Sequence, residues 1–354
     1  MAVWGAREHE KSHLQRNFPA EGPELDILAS GSPMNALRPQ SWLLATLLLL
    51  LCACTPTPEP RLRVGTVPWP GNEPLFLGQE LGLIPTQRVH LVEYLSSSQL
   101  LRAFRNGAID AMSATIEEVL SLEQLGHDPR VVLVLDASHG ADCLMARPEV
   151  ESLSALAGRR IGSEESLLGM YILTRVVEHA GLKREDVKLE FVPLETQVAA
   201  WQRGELDAVV TFEPYCQRLA DVGARRLFDS TRLPGEIVDV LVVRKNFLEA
   251  SPQQVDALLR GWFATLIWKQ QHPQEAMQRM SRRLGLDPLR FHEALSGVRL
   301  MDEHAQRALL TGSQPGLHTT LERMGELLRH HQLLEGSTEA SQLLDIAPLL
   351  RVSP

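Results

Sequence analysis

From Met34 onward there is no HExxH, no GxSxG and no Walker-type phosphate loop, and no cysteine-rich run suggests a metal ribbon; one HExxH, His9-Glu10-Lys11-Ser12-His13, lies in the polar stretch before Met34. His139 has no second or third ligand at metal-binding spacing, so it does not define a metal site. A cationic surplus is missing too. Thirty-five Lys and Arg face 44 Asp and Glu, for a formal charge of −9. With no basic stripe to displace phosphate counterions, a nucleic-acid partner is excluded. The apolar run from Trp42 to Leu51 is about half of the ~20 residues that a membrane-spanning helix needs. What the chain does have is 44% apolar and 22% charged residues, enough to bury a sizeable core in one large or two medium domains.

From Met34 the order is a basic Arg38, that apolar run, and then Leu51-Cys52-Ala53-Cys54. This is the layout of an export signal over residues 34–53. The small Ala53 before Cys54 resembles a bacterial lipobox, so Cys54 is the expected lipidation site and first mature residue. Residues 1–33 are polar and without periodicity, an odd prelude to a signal, and Met34 is the expected true start. Residues 54–60, with alternating prolines at Pro56, Pro58 and Pro60, favour an extended tether with no core of its own. Only Cys143 and Cys216 remain in the body beyond it. An exported protein would tolerate a disulfide, but spacing alone leaves their pairing open.

The body alternates strand-like and helix-like segments, which predicts an α/β architecture with mostly parallel sheets. Strands are expected at Leu62–Val67, Val89–Tyr94 and Ile109–Ser113, with helices at Pro74–Leu83 and Ser98–Asn106 between them. The unit then recurs: strands at Arg160–Ser163, Lys188–Val192 and Leu206–Thr211 enclose helices at Leu167–Ala180 and Gln197–Arg203. Gly107-Ala108-Ile109-Asp110-Ala111-Met112 aligns with Gly204-Glu205-Leu206-Asp207-Ala208-Val209, and Gly82 and Gly181 each end the preceding helix. Two similar lobes follow from this repeat.

Open α/β sheets bind ligands beyond the carboxyl ends of their strands. Four loops lie there: Pro68–Leu75, Ala114–Glu118, Glu164–Met170 and Thr211–Tyr215. Trp69 offers an aromatic wall and Glu73 a carboxylate, exposed by the turn at Pro70-Gly71. Ser166 is placed to cap a helix or to help hold an anion at its N-terminus. Thr115, three residues before Glu118, reads as a capping box. Glu213, before Pro214, suits a cap, a ligand contact or both. Trp262, Phe263 and Trp268 fall in a helix-period pattern and read as core.

These residues also carry a resemblance. Val67-Pro68-Trp69-Pro70-Gly71-Asn72-Glu73-Pro74, Asp136 to Asp142, Thr211-Phe212-Glu213-Pro214-Tyr215, and Phe228-Asp229-Ser230 with Ile237 to Val243 resemble the nitrate, sulfonate, taurine and thiamine-precursor class of ABC-transporter substrate-binding proteins. The resemblance implies the type II periplasmic binding fold, two α/β lobes joined by a two-crossing hinge near Met145 and Ile237. Lobe 1 would comprise residues 61–145 and 237–354, with C-terminal helices packed on it, and lobe 2 residues 146–236.

It further implies a non-enzymatic solute carrier without cofactor. The carrier would be monomeric, tied to the envelope membrane through its lipid and served by a permease and an ATPase. Trp69, Glu73, Thr115, Ser138, Asp142, Ser166, Thr211, Glu213 and Asp239 would line the ligand site. Glu73, Asp142, Glu213 and Asp239 form an acidic set, which suits an amine or donor-rich heterocycle better than a bare oxyanion. A membrane sensor partner is the alternative to a permease, and a pyrimidine-synthesising enzyme is the more distant one.

Overall fold

A computed structural model describes residues 59–312, 315–336 and 339–352. Cys54, the export signal and most of the tether lie outside the described residues.

The chain begins with β1 (Leu62–Thr66), α1 (Glu73–Glu80), β2 (Val89–Glu93), α2 (Ser97–Arg105), β3 (Ala111–Thr115), α3 (Ile116–Gln124) and β4 (Pro129–Ser138). It crosses to a second unit of β5 (Asp142–Ala146), β6 (Arg160–Ser163), α4 (Leu167–His179), β7 (Lys188–Phe191), α5 (Gln197–Gln202), β8 (Ala208–Phe212), α6 (Tyr215–Asp221) and β9 (Arg225–Asp229). It returns through β10 (Val238–Arg244) to α7 (Lys245–Ala250), α8 (Pro252–Gln271), α9 (Pro273–Arg283), α10 (Pro288–Ser296) and β11 (Val298–Leu300). Helices α11 (Glu303–Leu310), α12 (Gly316–His330), α13 (Ala340–Leu343) and α14 (Ala347–Val352) complete it. None of the helices in the described residues is long and apolar enough to cross a membrane.

The strands form two sheets, ordered β11-β4-β10-β3-β1-β2 and β7-β6-β8-β5-β9. In the first, β1 runs parallel to β2 and β3, while β10 runs antiparallel to both β3 and β4. The second repeats the pattern, with β6 parallel to β7 and β8, and β5 antiparallel to β8 and β9.

Local chemistry explains the elements. In α2, Ser96 caps the N-terminus by accepting from Gln99 N–H at 3.3 Å, and Leu100, Ala103 and Phe104 are buried on one face. The run Val131–Leu135 is buried on both sides because β4 is an interior strand. Helix α8 opens with Pro252 and buries Trp262 and Phe263, as the periodicity predicts, while Trp268 is only half-buried and stacks on His272 at 4.6 Å. Gly261 lets α8 approach the end of α1, since a Cβ there would stand 2.4 Å from Ile84 Cγ1 and 2.7 Å from Leu83 O.

The internal repeat extends into side-chain contacts at a constant offset. Arg63 grips Asp110 through Nε at 2.8 Å and Nη2 at 2.7 Å, and also donates to Gly107 O. Arg160 does the same with Asp207 and Gly204 O. Arg244 lies over the Phe104 ring at 4.3 Å and donates to Ile109 O; Arg147 lies over Trp201 at 4.5 Å and donates to Leu206 O. Asp239 on β10 and Asp142 on β5 occupy the matching place at the start of the antiparallel strand of each lobe.

One boundary and one packing contact differ from expectation. Strand β5, including Met145, pairs wholly in the second sheet, so the first crossing lies at residues 139–141. An apolar strand that continues almost directly from β4 hides the change of sheet. The C-terminal helices do not pack on the first lobe alone: Arg290 of α10 pairs with Asp221 of α6 at 2.7 Å, and Gln217 donates to Arg290 O. Crossing strands are tied together where Ser138 N–H donates to Ile237 O, and where Ser138 and Ser230 hydroxyls meet at 2.8 Å. Cys143 and Cys216 form a disulfide within the second lobe, joining β5 to α6.

Candidate ligand-binding cleft

The carboxyl ends of β1 and β3 face those of β6 and β8 across a cavity between the lobes. Its unfilled space is about 400 Å³ with the mouth included, yet the centre of a water has only about 30 Å³ to move in, so the slot is narrow. Its apolar walls are Val67, Trp69, Leu168, Phe212 and Ile237. Trp69 from the first lobe meets Phe212 from the second edge-to-face at 5.9 Å. The Trp69 indole N–H is aimed at Asp136, 3.3 Å from each carboxylate oxygen. Gly71 permits this packing: a Cβ there would lie 2.0 Å from Asp136 Oδ2 and 2.5 Å from Trp69 Nε1.

The polar lining is acceptor-rich. Asn72, Glu118, Asp142 and Asp239 reach the cavity with the hydroxyls of Ser97, Ser113 and Thr115, and no Lys or Arg lines it. Asp142 is 2% exposed, and neither of its carboxylate oxygens has a protein partner; Glu118 Oε1 and Asn72 Oδ1 have none either. Buried acceptors left in this state are costly, and the carboxylates respond by holding protons. Burial, with Glu213 adding to it, pushes Asp142 up to about 7. Burial likewise takes Glu118 to about 8, although the Thr115 N–H donates to it at 3.1 Å. Asp239 stands opposite Asp136 in the β10–β4 register, and burial together with that neighbour drives its pKa well up. Asp136 is raised to about 7 by the same burial.

Of the nine residues expected from sequence, Trp69, Thr115, Asp142 and Asp239 come together in the cavity wall. Glu73 does not. It is 1% exposed and held by Arg283, whose Nη2 lies 2.6 Å from Glu73 Oε1 and whose guanidinium covers Phe76. Glu213 is taken by Arg226 at 2.7 Å and by Gln217 N–H. Ser138 is spent on the hinge, accepting from Asp142 N–H at 3.2 Å. Ser166 caps α4 by accepting from Gly169 N–H, and with Thr211 it lines a small neighbouring recess.

Asp136, Glu118 and Glu164 are the site residues that sequence reading left unassigned. Glu164 follows β6 directly, reaches across the cleft, and accepts from Ser98 N–H at 3.4 Å at the N-terminus of α2. Its position one residue past a strand end was the available signal. Among the described residues no group of three or more His, Cys, Asp or Glu is placed to hold a metal ion.

Two facing α/β lobes of this topology, with a cavity at their strand ends, define the periplasmic binding protein fold. Residues 55–284 match the NMT1-like family, and the chain belongs to it. It is 26% identical over 172 residues to the taurine-binding periplasmic protein of Escherichia coli K12, covering 47% of this chain and 52% of that one. It is also 26% identical over 152 residues to a putative aliphatic sulfonates-binding protein of the same organism, covering 42% and 48%. The matches thus span about half the length of these relatives. The solved alkanesulfonate-binding protein of Xanthomonas axonopodis pv. citri, bound to MOPS, superposes with a TM-score of 0.67 at 18% identity, covering 81% of this chain and 99% of that one. A desulfurization enzyme shares the fold as well, with a TM-score of 0.62 at 18% identity and coverage of 82% and 99%. The fold therefore hosts both binding and catalysis.

Proposed function

We propose that the protein is an extracytoplasmic solute-binding protein, anchored through Cys54, that closes its two lobes on a small organic solute and presents it to an ABC importer. The observation that carries the ligand chemistry is the cavity wall itself, in which aromatic faces alternate with buried acceptors that lack protein partners and no cation is present. A ligand bearing an amine or a donor-rich heterocycle satisfies those acceptors and packs against the Trp69 and Phe212 rings. The taurine and sulfonate binding named for the relatives supports solute capture as the activity. Taurine carries both an amine and a sulfonate, and only its amine finds complementary charge here.

Capture proceeds by population shift. In the open form each lobe presents half of the wall, and contacts made to both lobes at once favour closure. A ligand at about a hundred times its dissociation constant adds roughly 2.7 kcal/mol of stability. A thermal-shift and calorimetric panel of taurine, alkanesulfonates, nitrate, aminopyrimidines and polyamines tests the reading. Tight binding of the members without an anionic group, the aminopyrimidines and polyamines, is expected. Tight nitrate binding with no response to amines would refute the ligand class, and silence from every solute would count against capture.

A further inference from the structure

The structure assigns to Glu164 the role of a built-in counter-anion: we infer that this second-lobe carboxylate occupies the helix N-terminus of the first lobe that an anionic ligand group would otherwise take, and so excludes sulfonates and other oxyanions. The inference deepens the proposed ligand class and rests on the cleft being the solute site.

Helix α2 spans Ser97–Arg105, and Ser96 caps it. Its free N–H groups carry the positive end of the helix dipole and form the sort of place where sulfate, sulfonate and carboxylate bind. Ser97 lines the cavity, so this helix end is turned toward the ligand. The place is already filled. Glu164 Oε1 accepts from Ser98 N–H at 3.4 Å. Burial raises the Glu164 pKa, and the N–H groups of Ser98 and Ser97 with the Ser96 hydroxyl work against that rise by favouring the charged form.

Glu164 is 5% exposed, and its second oxygen, Oε2, has no protein partner. A buried carboxylate with one oxygen unused has not been placed there for stability alone, because that oxygen forfeits hydration. The contact also runs between lobes: Glu164 follows β6, whereas α2 packs on β1 and β3. An oxyanion arriving at the same N–H groups would have to displace Glu164 and then sit beside its charge. With Glu118, Asp142 and Asp239 also on the wall, no compensating cation is at hand.

The test compares the full chain with Glu164→Gln, which keeps size and fold while removing the charge. Methanesulfonate and inorganic sulfate serve as anion probes, and an aminopyrimidine as the cationic one, all read by isothermal titration. Glu164→Gln is expected to bind methanesulfonate at least tenfold more tightly than the native chain, the scale of one hydrogen bond to a charged group. Adding Ser98→Pro removes one donor in the first helical turn, where that N–H has no intrahelical partner, and should reverse most of that gain. Unchanged anion affinity in Glu164→Gln, with the native melting temperature, would overturn the inference whatever the aminopyrimidine does. A gain that survives Ser98→Pro intact would overturn it too, by placing the anion elsewhere. Failure of the aminopyrimidine alone, with the anion gain present, would instead refute the amine reading and leave the role of Glu164 standing.

Discussion

Asp142 concentrates the chemistry of the cleft because it is buried, faces the cavity and has both oxygens unpartnered. Asp142→Asn keeps the shape and removes the charge. Affinity for an amine-bearing ligand should fall by about ten- to a hundredfold, the range for hydrogen bonds to charged groups. The empty protein should melt higher, because a carboxylate no longer has to be desolvated. Calorimetry and thermal melts check the two halves separately.

The pH dependence follows from the same burial. Asp142 titrates near 7 and Glu118 near 8 in the folded chain, against about 4 unfolded. Between those limits the folded state holds protons that the unfolded state has released, so stability of the empty protein falls as pH rises from about 4 to 8. Urea midpoints measured at pH 5 and pH 8 should show the loss. Binding of a cation runs the other way: it favours the ionised carboxylates, releases protons, and tightens over the same range. Affinity that is flat with pH would show that these carboxyls do not meet the ligand.

At the scale of elements, two features are open to direct test. A methyl group at Gly71 would collide with Asp136 and the Trp69 indole. Gly71→Ala should therefore cost about 1–3 kcal/mol, as overpacking does, and weaken ligand binding by displacing the aromatic wall. The Cys143–Cys216 bridge closes a loop with a sequence separation of 73. On chain-entropy grounds, replacing both cysteines by alanine should cost up to about 4 kcal/mol. Hydrogen exchange should quicken in β5 and α6 first, since the bridge joins those elements.

Much of this layer was legible in the chain. Helices begin at Pro252, Pro273 and Pro288, where proline fixes the first turn and so marks the start in the chain itself. The repeat around Gly107 and Gly204 was visible because tight turns and short buried strands leave few residue choices. The fate of the carboxylates was not legible. Glu73 and Asp142 look alike in sequence, and what separates them is Arg283, a residue 210 positions away that neutralises only the first. The switch of β5 to the second sheet was hidden for a similar reason, since a buried strand reads the same in either sheet.

For the molecule as a whole, the relevant quantity is the balance between open and closed forms. Helix α10 bridges to the second lobe through a half-buried Arg290 and an exposed Asp221, a pair open to solvent. Exposed pairs contribute little, so Arg290→Ala should weaken ligand affinity by no more than about fivefold. Small-angle scattering should show ligand-induced compaction persisting in that variant. Loss of compaction there would mean that the helix, and not the ligand, does the closing.

The matching positions of Asp142 and Asp239 have a mechanical consequence. Each lobe brings its own carboxylate to the common face, so bringing the lobes together forces like charges into a dry space. Once both carboxyls have lost their protons, that repulsion would work against closure like the spring of a jaw. On the proposed ligand class, a positively charged solute would supply the missing countercharge and release the spring, so that vacant and loaded molecules would differ in outline. A membrane partner of the proposed kind would then tell one from the other by outline, without touching the cargo.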